Sequence, residues 1–197
     1  MGAVMGAVMG AVAGRRSAAP VAGHGYSGLI TLNIQTAGTM AQDTNNADTL
    51  RRILQSCRSV AIVGLSAEWH RPSFFVAKYL QQHGFRILPV NPRYAGSQIL
   101  GMACVARLED INEPVTMVDV FRKTDDVAPI ADSAIAIGAR CLWQQIGVLN
   151  VDADARARAA GLHSVMDRCV KIEHARLFGG LHWAGVNTGV ISARRLA

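Results

Sequence analysis

Five short groups of residues in this 197-residue chain carry the side chains that could do chemistry: Gly64-Leu65-Ser66 with Arg71-Pro72-Ser73, Asn91-Pro92-Arg93, Phe121-Arg122-Lys123, Gln144-Gln145-Ile146-Gly147 and Asp167-Arg168-Cys169. Together they offer guanidinium and ammonium groups, amides, a hydroxyl and glycine turns. They form no Ser/His/Asp set, no paired carboxylates and no metal-ligand spacing. The chemistry they suit is the holding of an anion. Gly64 ends the apolar run Val60-Ala61-Ile62-Val63, and Pro72 stands where a helix would begin, since proline suits the first helical position. A strand, a glycine turn and a helix N-terminus present unpaired N–H groups and the positive end of the helix dipole to a phosphate. The ligand class indicated is a nucleotide-like polyanion.

Those groups need elements to position them, and the apolar periodicity supplies a regular alternation. Leu50, Ile53 and Leu54 have helical spacing behind a cap at Asp48. Ser59 to Val63 is a strand. Pro72 to His83 is a helix with Phe75, Val76, Tyr79 and Leu80 on one face and Gly84 past its end. Arg86 to Val90 is a strand stopped by Asn91-Pro92. Ile99 to Ile111 holds a short strand or loop and a helical turn near Leu108. Thr116 to Phe121 is a strand, and a helix follows within Asp125 to Ile137, its start delayed by Pro129 and its end marked by Gly138. Cys141 to Ile146 is a strand, Asp152 to Ala160 a helix ended by Gly161, and Ser164 to Met166 a last strand. The strands are continuous apolar runs, which indicates a parallel sheet covered on both faces. The expected fold is α/β: a Rossmann-like, doubly wound, mostly parallel sheet of five or six strands with helices on both faces. In such sheets ligands bind beyond the carboxyl ends of the strands, where all five groups fall.

Composition narrows the partners. Of 20 basic residues only Lys78, Lys123 and Lys171 are lysines, and the net charge is +6. Without Arg15 and Arg16 the balance is 18 basic against 14 acidic groups, enough for an anionic small ligand. The arginines are scattered, with no basic stripe interleaved with aromatics, which argues against nucleic acid. The four cysteines make no CxxC or zinc spacing, and Cys104 and Cys141 in apolar surroundings are expected to be buried thiols of a reducing compartment. Residues 1–39 are set apart: Met-Gly-Ala-Val is written three times at the start, and no acidic residue precedes Asp43. They are expected to be a disordered extension or an upstream start, with Met40 as the alternative beginning. The segment lacks a signal peptide's charged n-region and is too glycine-rich to span a bilayer, so no membrane association is expected. The domain is placed at residues 45–177. The tail 178–197 could cover the core, or pair with a second copy or an unknown protein partner.

The choice of nucleotide rests on departures from the dinucleotide fingerprint. Gly64 is present, but Ser66 stands at the second glycine position. Where NAD enzymes place a carboxylate on the ribose 2′-hydroxyl, this chain has Asn91-Pro92-Arg93. A carboxylate would repel a phosphorylated ribose, whereas Arg93 attracts one. NAD is disfavoured, and NADP or coenzyme A remains. The Walker pattern is absent, leaving ATP hydrolysis without support.

Gly64-x-Ser66-x4-Arg71-Pro72-Ser73, Pro89-Val90-Asn91-Pro92, Val118-Asp119-Val120-Phe121-Arg122, Leu142-Trp143-Gln144-Gln145-Ile146-Gly147 and Met166-Asp167-Arg168-Cys169-x-Lys171-Ile172-Glu173-His174 closely resemble the small stand-alone CoA-binding proteins of bacteria. Those look like the CoA-binding domain of the succinyl-CoA synthetase α subunit standing alone. The resemblance runs from about Leu50 to Leu177. It implies a Rossmann-type domain, a cytoplasmic location, CoA or an acyl-CoA as ligand, and no established reaction. With the residue reading it assigns roles. The backbone of Gly64, Leu65 and Ser66, the Ser66 hydroxyl and the helix start at Pro72 and Ser73 would hold the pyrophosphate. Arg71 or Arg93 would meet the 3′-phosphate. Asn91 and Pro92 would border the adenosine, Phe121 and Arg122 the adenine or the start of the pantetheine arm, and Gln145 and Gly147 would offer amides to that arm.

Three functional readings follow: a CoA-binding module without catalysis, an NADP-dependent oxidoreductase lacking a visible catalytic donor, and a nucleotide-sensing regulatory protein. His174 is expected at a surface or a helix cap. Cys169, between Arg168 and Lys171, is either a structural cysteine or a thiol of lowered pKa able to form a mixed disulfide with CoA.

Overall fold

The computed structural model describes residues 46–179; the expectations for residues 1–39 and for most of the tail lie outside them. Seven strands and five helices follow in order: α1 Ala47–Ser56, β1 Ser59–Val63, α2 Pro72–Gln82, β2 Arg86–Val90, β3 Gln98–Ile99, β4 Met102–Ala103, β5 Met117–Val120, α3 Val127–Ala136, β6 Cys141–Gln144, α4 Val151–Ala159, β7 His163–Val165 and α5 Val170–Phe178. Single 3₁₀ turns stand at Pro92–Tyr94, Leu108–Asp110 and Thr124–Asp126.

The main sheet has five parallel strands in the order β2-β1-β5-β6-β7. The chain leaves β1 to one side to make β2, then returns to the other side of β1 to make β5. That reversal opens a crevice above β1 and β5, the topological switch point where doubly wound sheets bind ligands. Val105 forms a parallel bridge to Val90, with its N–H on Pro89 O at 3.0 Å and its carbonyl taking the Asn91 N–H at 2.9 Å. Counted as a one-residue strand, Val105 completes the six-strand order of a dinucleotide-type sheet. β3 and β4 form a separate antiparallel hairpin.

Side-chain alternation along the strands divides the core. Val60, Ile62, Met117, Cys141, Trp143 and Val165 pack against α1, α2 and α5. Ala61, Leu88, Val118, Val120 and Leu142 pack against α3 and α4. Cys57, Cys104 and Cys141 are buried free thiols.

Four local expectations are corrected. Asn46 caps α1, its side chain accepting the Asp48 N–H at 2.9 Å, so Asp48 belongs to the first turn, where it complements the dipole. On α2 the buried face is Ser73, Val76, Ala77 and Leu80, and Phe75 is exposed. The i, i+3, i+4 and i+7 positions from Ser73 face the core, and Phe75 lies outside that stripe. Pro129 does not delay α3: it lies in the first turn, where its missing N–H has no partner to lose. His174, expected at the surface, is 6 % exposed. Its Nδ1 lies 3.1 Å from the Tyr79 hydroxyl, with the Phe85 and Phe178 rings against it. Burial, then the charges of His83 and Arg58, pull it down to about 4. Its i+4 spacing to Phe178 on α5 is a core signal that the sequence reading passed over.

Candidate functional site: a basic crevice at the switch point

The site is built from the turns that leave β1, β2 and β5. After Val63 the backbone takes a positive φ of 88° at Gly64, and its N–H donates to Val90 O at 2.8 Å. A Cβ at Gly64 would collide with the Phe121 carbonyl oxygen and approach Arg122 Cδ to 2.9 Å. Only glycine lets the β1 turn lie against the β5 turn this closely. The Asn91 side chain joins the β1 and β2 turns. Its Nδ2 donates to Leu65 O at 2.9 Å, and its Oδ1 accepts the Arg93 N–H at 3.0 Å, opening the 3₁₀ turn that carries Arg93 and Tyr94. Ser73 Oγ accepts the Ser66 N–H at 3.1 Å, and Ser66 Oγ accepts the Glu68 N–H at 3.1 Å. These bonds tie the 64–71 loop to the start of α2.

The three turns enclose a cavity of about 430 Å³ lined by Gly64, Ser66, Glu68, Arg71, Pro72, Ser73, Asn91, Pro92, Arg93, Tyr94, Phe121 and Arg122. Three guanidinium groups face one carboxylate, and α2 begins at its wall. The net positive field and the helix N-terminus suit a multiply charged anion. Gly64, Pro92 and Arg122 also border a more apolar hollow of about 310 Å³, walled by Val63, Val90, Ala106, Pro129 and Ile130, with Asp125 and Asp126 at its edge and Asp126 3.5 Å from Arg122 Nε. A polar crevice opening onto an apolar one fits a ligand with phosphates at one end and a flat ring beside them.

Of the thirteen residues given ligand roles from the sequence, ten line this cavity and three, Leu65, Gln145 and Gly147, do not; Lys123, Gln144, Ile146, Asp167, Arg168 and Cys169 of the strand-end groups lie off it too. Leu65 is wholly buried in the α1–α2–α5 core, so its contribution to the cavity wall is confined to the backbone. Gln145 turns its side chain into the sheet, where Nε2 donates to Asp119 Oδ1 at 2.7 Å. The Gly147 N–H is taken by Asp167 Oδ1 at 2.8 Å. Neither amide is presented to the cavity, because buried or neighbouring carboxylates hold both. Glu68 and Tyr94 line the cavity but were not picked out. Tyr94, three residues past Asn91, and Glu68, inside a longer loop, carry no spacing signal of their own.

Cys169 caps α5 from the rim of the core. Burial pushes its thiol up, outweighing the Ile172 and Lys171 N–H groups that favour the thiolate. Beneath it, Arg168 and Arg176 both pair with Glu173 in a buried cluster that anchors the α5 start.

Asp119, mid-strand in β5 and completely buried, is pushed up to about 7 by desolvation, against the opposing pull of Gln145 and the Val120 N–H. Between about pH 4 and pH 7 the folded chain keeps a proton that the unfolded chain has released. The stability this group contributes is full below pH 4 and is lost as pH rises through 7. Asp119→Asn keeps an acceptor for Gln145 and cannot ionise. We expect its melting temperature to fall less than the wild type's from pH 5 to pH 8, by several degrees, since the part of that range below pH 7, two pH units, corresponds to an upper limit of about 3 kcal/mol. Parallel melting profiles for the two proteins would rule this ionisation out.

No helix among the described residues is long and apolar enough to cross a membrane. The comparisons with known proteins agree with this geometry. Residues 58–175 match the CoA binding domain family. The chain is 34 % identical over 126 residues to the uncharacterized protein YneT of Bacillus subtilis (strain 168), a match covering 64 % of this chain and 92 % of that one. Among solved structures, a protein from Thermus thermophilus superposes with a TM-score of 0.65 at 35 % identity, covering 68 % of this chain and 99 % of that one. A hypothetical protein from Pyrococcus horikoshii OT3 gives 0.65 at 36 % identity, covering 68 % and 93 %. The matched region spans every strand of the main sheet and every turn of the cavity. The chain belongs to the CoA-binding domain family.

Proposed function

We propose that the protein binds coenzyme A or an acyl-CoA in the crevice above β1 and β5, as a binding module without catalysis: a carrier, a sensor or a subunit of a larger assembly. The observation that carries the reading is the convergence of Arg71, Arg93 and Arg122 with the α2 N-terminus on one cavity that opens onto an apolar hollow. The pyrophosphate lies over Gly64 and Ser66 at the start of α2. Adenine fills the hollow between Pro92 and Ile130. The 3′-phosphate meets Arg93, whose side chain is 74 % exposed and 4.0 Å from its only ion-pair carboxylate in the described structure. Arg71, bonded to Glu68 at 2.9 Å, is the less available of the two. The pantetheine arm runs past Phe121 and Arg122 without side-chain contact from Gln145.

Calorimetric titration of the full chain with CoA, acetyl-CoA, NADPH and NADH tests the ligand class. Saturable binding of the CoA species, tighter than either nicotinamide nucleotide, is the expected result. Tighter binding of NADPH than of any CoA species would replace this reading with a nicotinamide-dependent one.

A further inference from the structure

The carboxylate of Glu68 stands where the preceding reading needs a ligand anion. Its Oε2 accepts from Arg71 Nε at 2.9 Å and lies 3.5 Å from His70 Nε2. Its Oε1 accepts from the Tyr94 hydroxyl at 3.5 Å and stands 4.0 Å from an Arg93 terminal nitrogen. The Arg71 hydrogen bond first, and the charges of Arg71, His70 and Arg93 after it, hold this carboxyl below the usual range. Glu68 therefore remains an anion at neutral pH, hydrogen-bonded to Arg71 and 4.0 Å from Arg93, the two arginines placed to meet the 3′-phosphate.

The loop is built so that this side chain can leave without uncovering the core. The Glu68 backbone is fixed, its N–H on Ser66 Oγ and its carbonyl accepting the Arg71 N–H at 3.0 Å. The side chain itself is 33 % exposed, and Trp69 beside it is 71 % exposed. A carboxylate and a phosphate held by the same two guanidinium groups repel each other, so each weakens the other's hold on them. A phosphomonoester, close to a dianion at neutral pH, carries more charge than the carboxylate it would displace. A ribose hydroxyl has none, and can instead donate a hydrogen bond to the resident carboxylate.

We propose, resting on the CoA reading above, that Glu68 is a displaceable internal anion that sets how strongly the site prefers a phosphorylated over an unphosphorylated ribose. It holds Arg71 and Arg93 together in the free protein and competes with the ligand's 3′-phosphate for them. CoA binds with Glu68 swung outward, and dephospho-CoA binds with Glu68 in place.

The test is calorimetric titration of the wild type and Glu68→Gln with CoA and with dephospho-CoA at low salt. The variant keeps the side-chain length and removes the charge. CoA is expected to bind the variant roughly five- to tenfold more tightly, the scale of a partly exposed pair with two cations, while dephospho-CoA changes by less than about twofold or weakens. Glu68→Asp, which keeps the charge but draws it back from Arg93, should fall between the two proteins. Weaker CoA binding by Glu68→Gln would show that the carboxylate aligns the arginines for the ligand and would overturn the proposal. So would an equal gain for both ligands, the mark of a general change in field. If CoA binds neither protein, the CoA reading itself is overturned, and this inference with it.

Discussion

Gly64→Ala is expected to lower the melting temperature by about 10 °C and to weaken the binding of CoA at least tenfold. Two costs combine at this residue. The backbone is left-handed, with φ at 88°, a conformation that costs a residue with a Cβ roughly 1–2 kcal/mol. The added methyl also collides with the Phe121 carbonyl oxygen and crowds Arg122 Cδ. Backbone cannot move aside as the end of a flexible side chain can, so the β1 and β5 turns must separate. Together the two terms amount to about 3–5 kcal/mol, in the range of strain at a special backbone position, and a domain of this size loses a few degrees for each kcal/mol. Ligand binding suffers for the same reason. The separation shifts the Gly64–Ser66 backbone relative to Arg122, and small displacements of preorganised groups are costly. Thermal melting and CoA titration of the variant check both effects. A variant that melts with the wild type and binds CoA equally well would show that the turns are not held together as described.

The architecture was legible in the sequence to within a few residues, and for one physical reason. Parallel strands buried on both faces must be largely apolar runs, so Val60–Val63 and Ile87–Val90 announce themselves, and Met117–Val120 does so despite Asp119 within it. Gly84, Gly138 and Gly161 then mark helix ends through their positive φ values of 79°, 70° and 88°. The doubly wound class followed from the alternation of strands and helices, and the cavity from the rule that ligands sit at the strand ends. What stayed hidden depended on tertiary direction. Gln145 belongs to a strand-end motif, and nothing in the motif shows that its amide turns inward to Asp119. Asp119 itself could not be placed, because a carboxylate inside a strand acquires meaning only once its burial and its partner are known. Glu68 lay in an irregular stretch without period, where a single carboxylate reads as an ordinary surface charge. Its importance comes from Arg93 and Tyr94, about 25 residues away in the chain and gathered to it only by the β2 turn. His174 was misplaced because amphipathic spacing on a nine-residue helix gives two plausible faces, and packing against Tyr79 and Phe85 selects the inward one.

The second large effect concerns Arg93. It is carried on the turn that Asn91 pins, it lies over the Tyr94 ring at 5.5 Å, and it lines the cavity together with Arg122. Its side chain makes no close hydrogen bond to the fold in the described structure, so Arg93→Ala should leave the melting temperature of the free protein within a degree or two. A charge-assisted, bidentate contact to a phosphomonoester contributes about 1.5–3 kcal/mol, or roughly 10- to 100-fold in affinity. That loss should fall on CoA, which carries the 3′-phosphate, and spare dephospho-CoA, which does not. NAD-type binding predicts no such difference, because Arg93 would then face a ribose hydroxyl.

The measurement that bears most directly on a CoA site in this crevice is therefore the pair of dissociation constants, for CoA and for dephospho-CoA, of the wild type and Arg93→Ala by calorimetry. The account predicts that the wild type prefers CoA by at least tenfold and that the variant loses most of that preference, with dephospho-CoA affinity nearly unchanged. Equal weakening of both ligands, or no change in either, would contradict it.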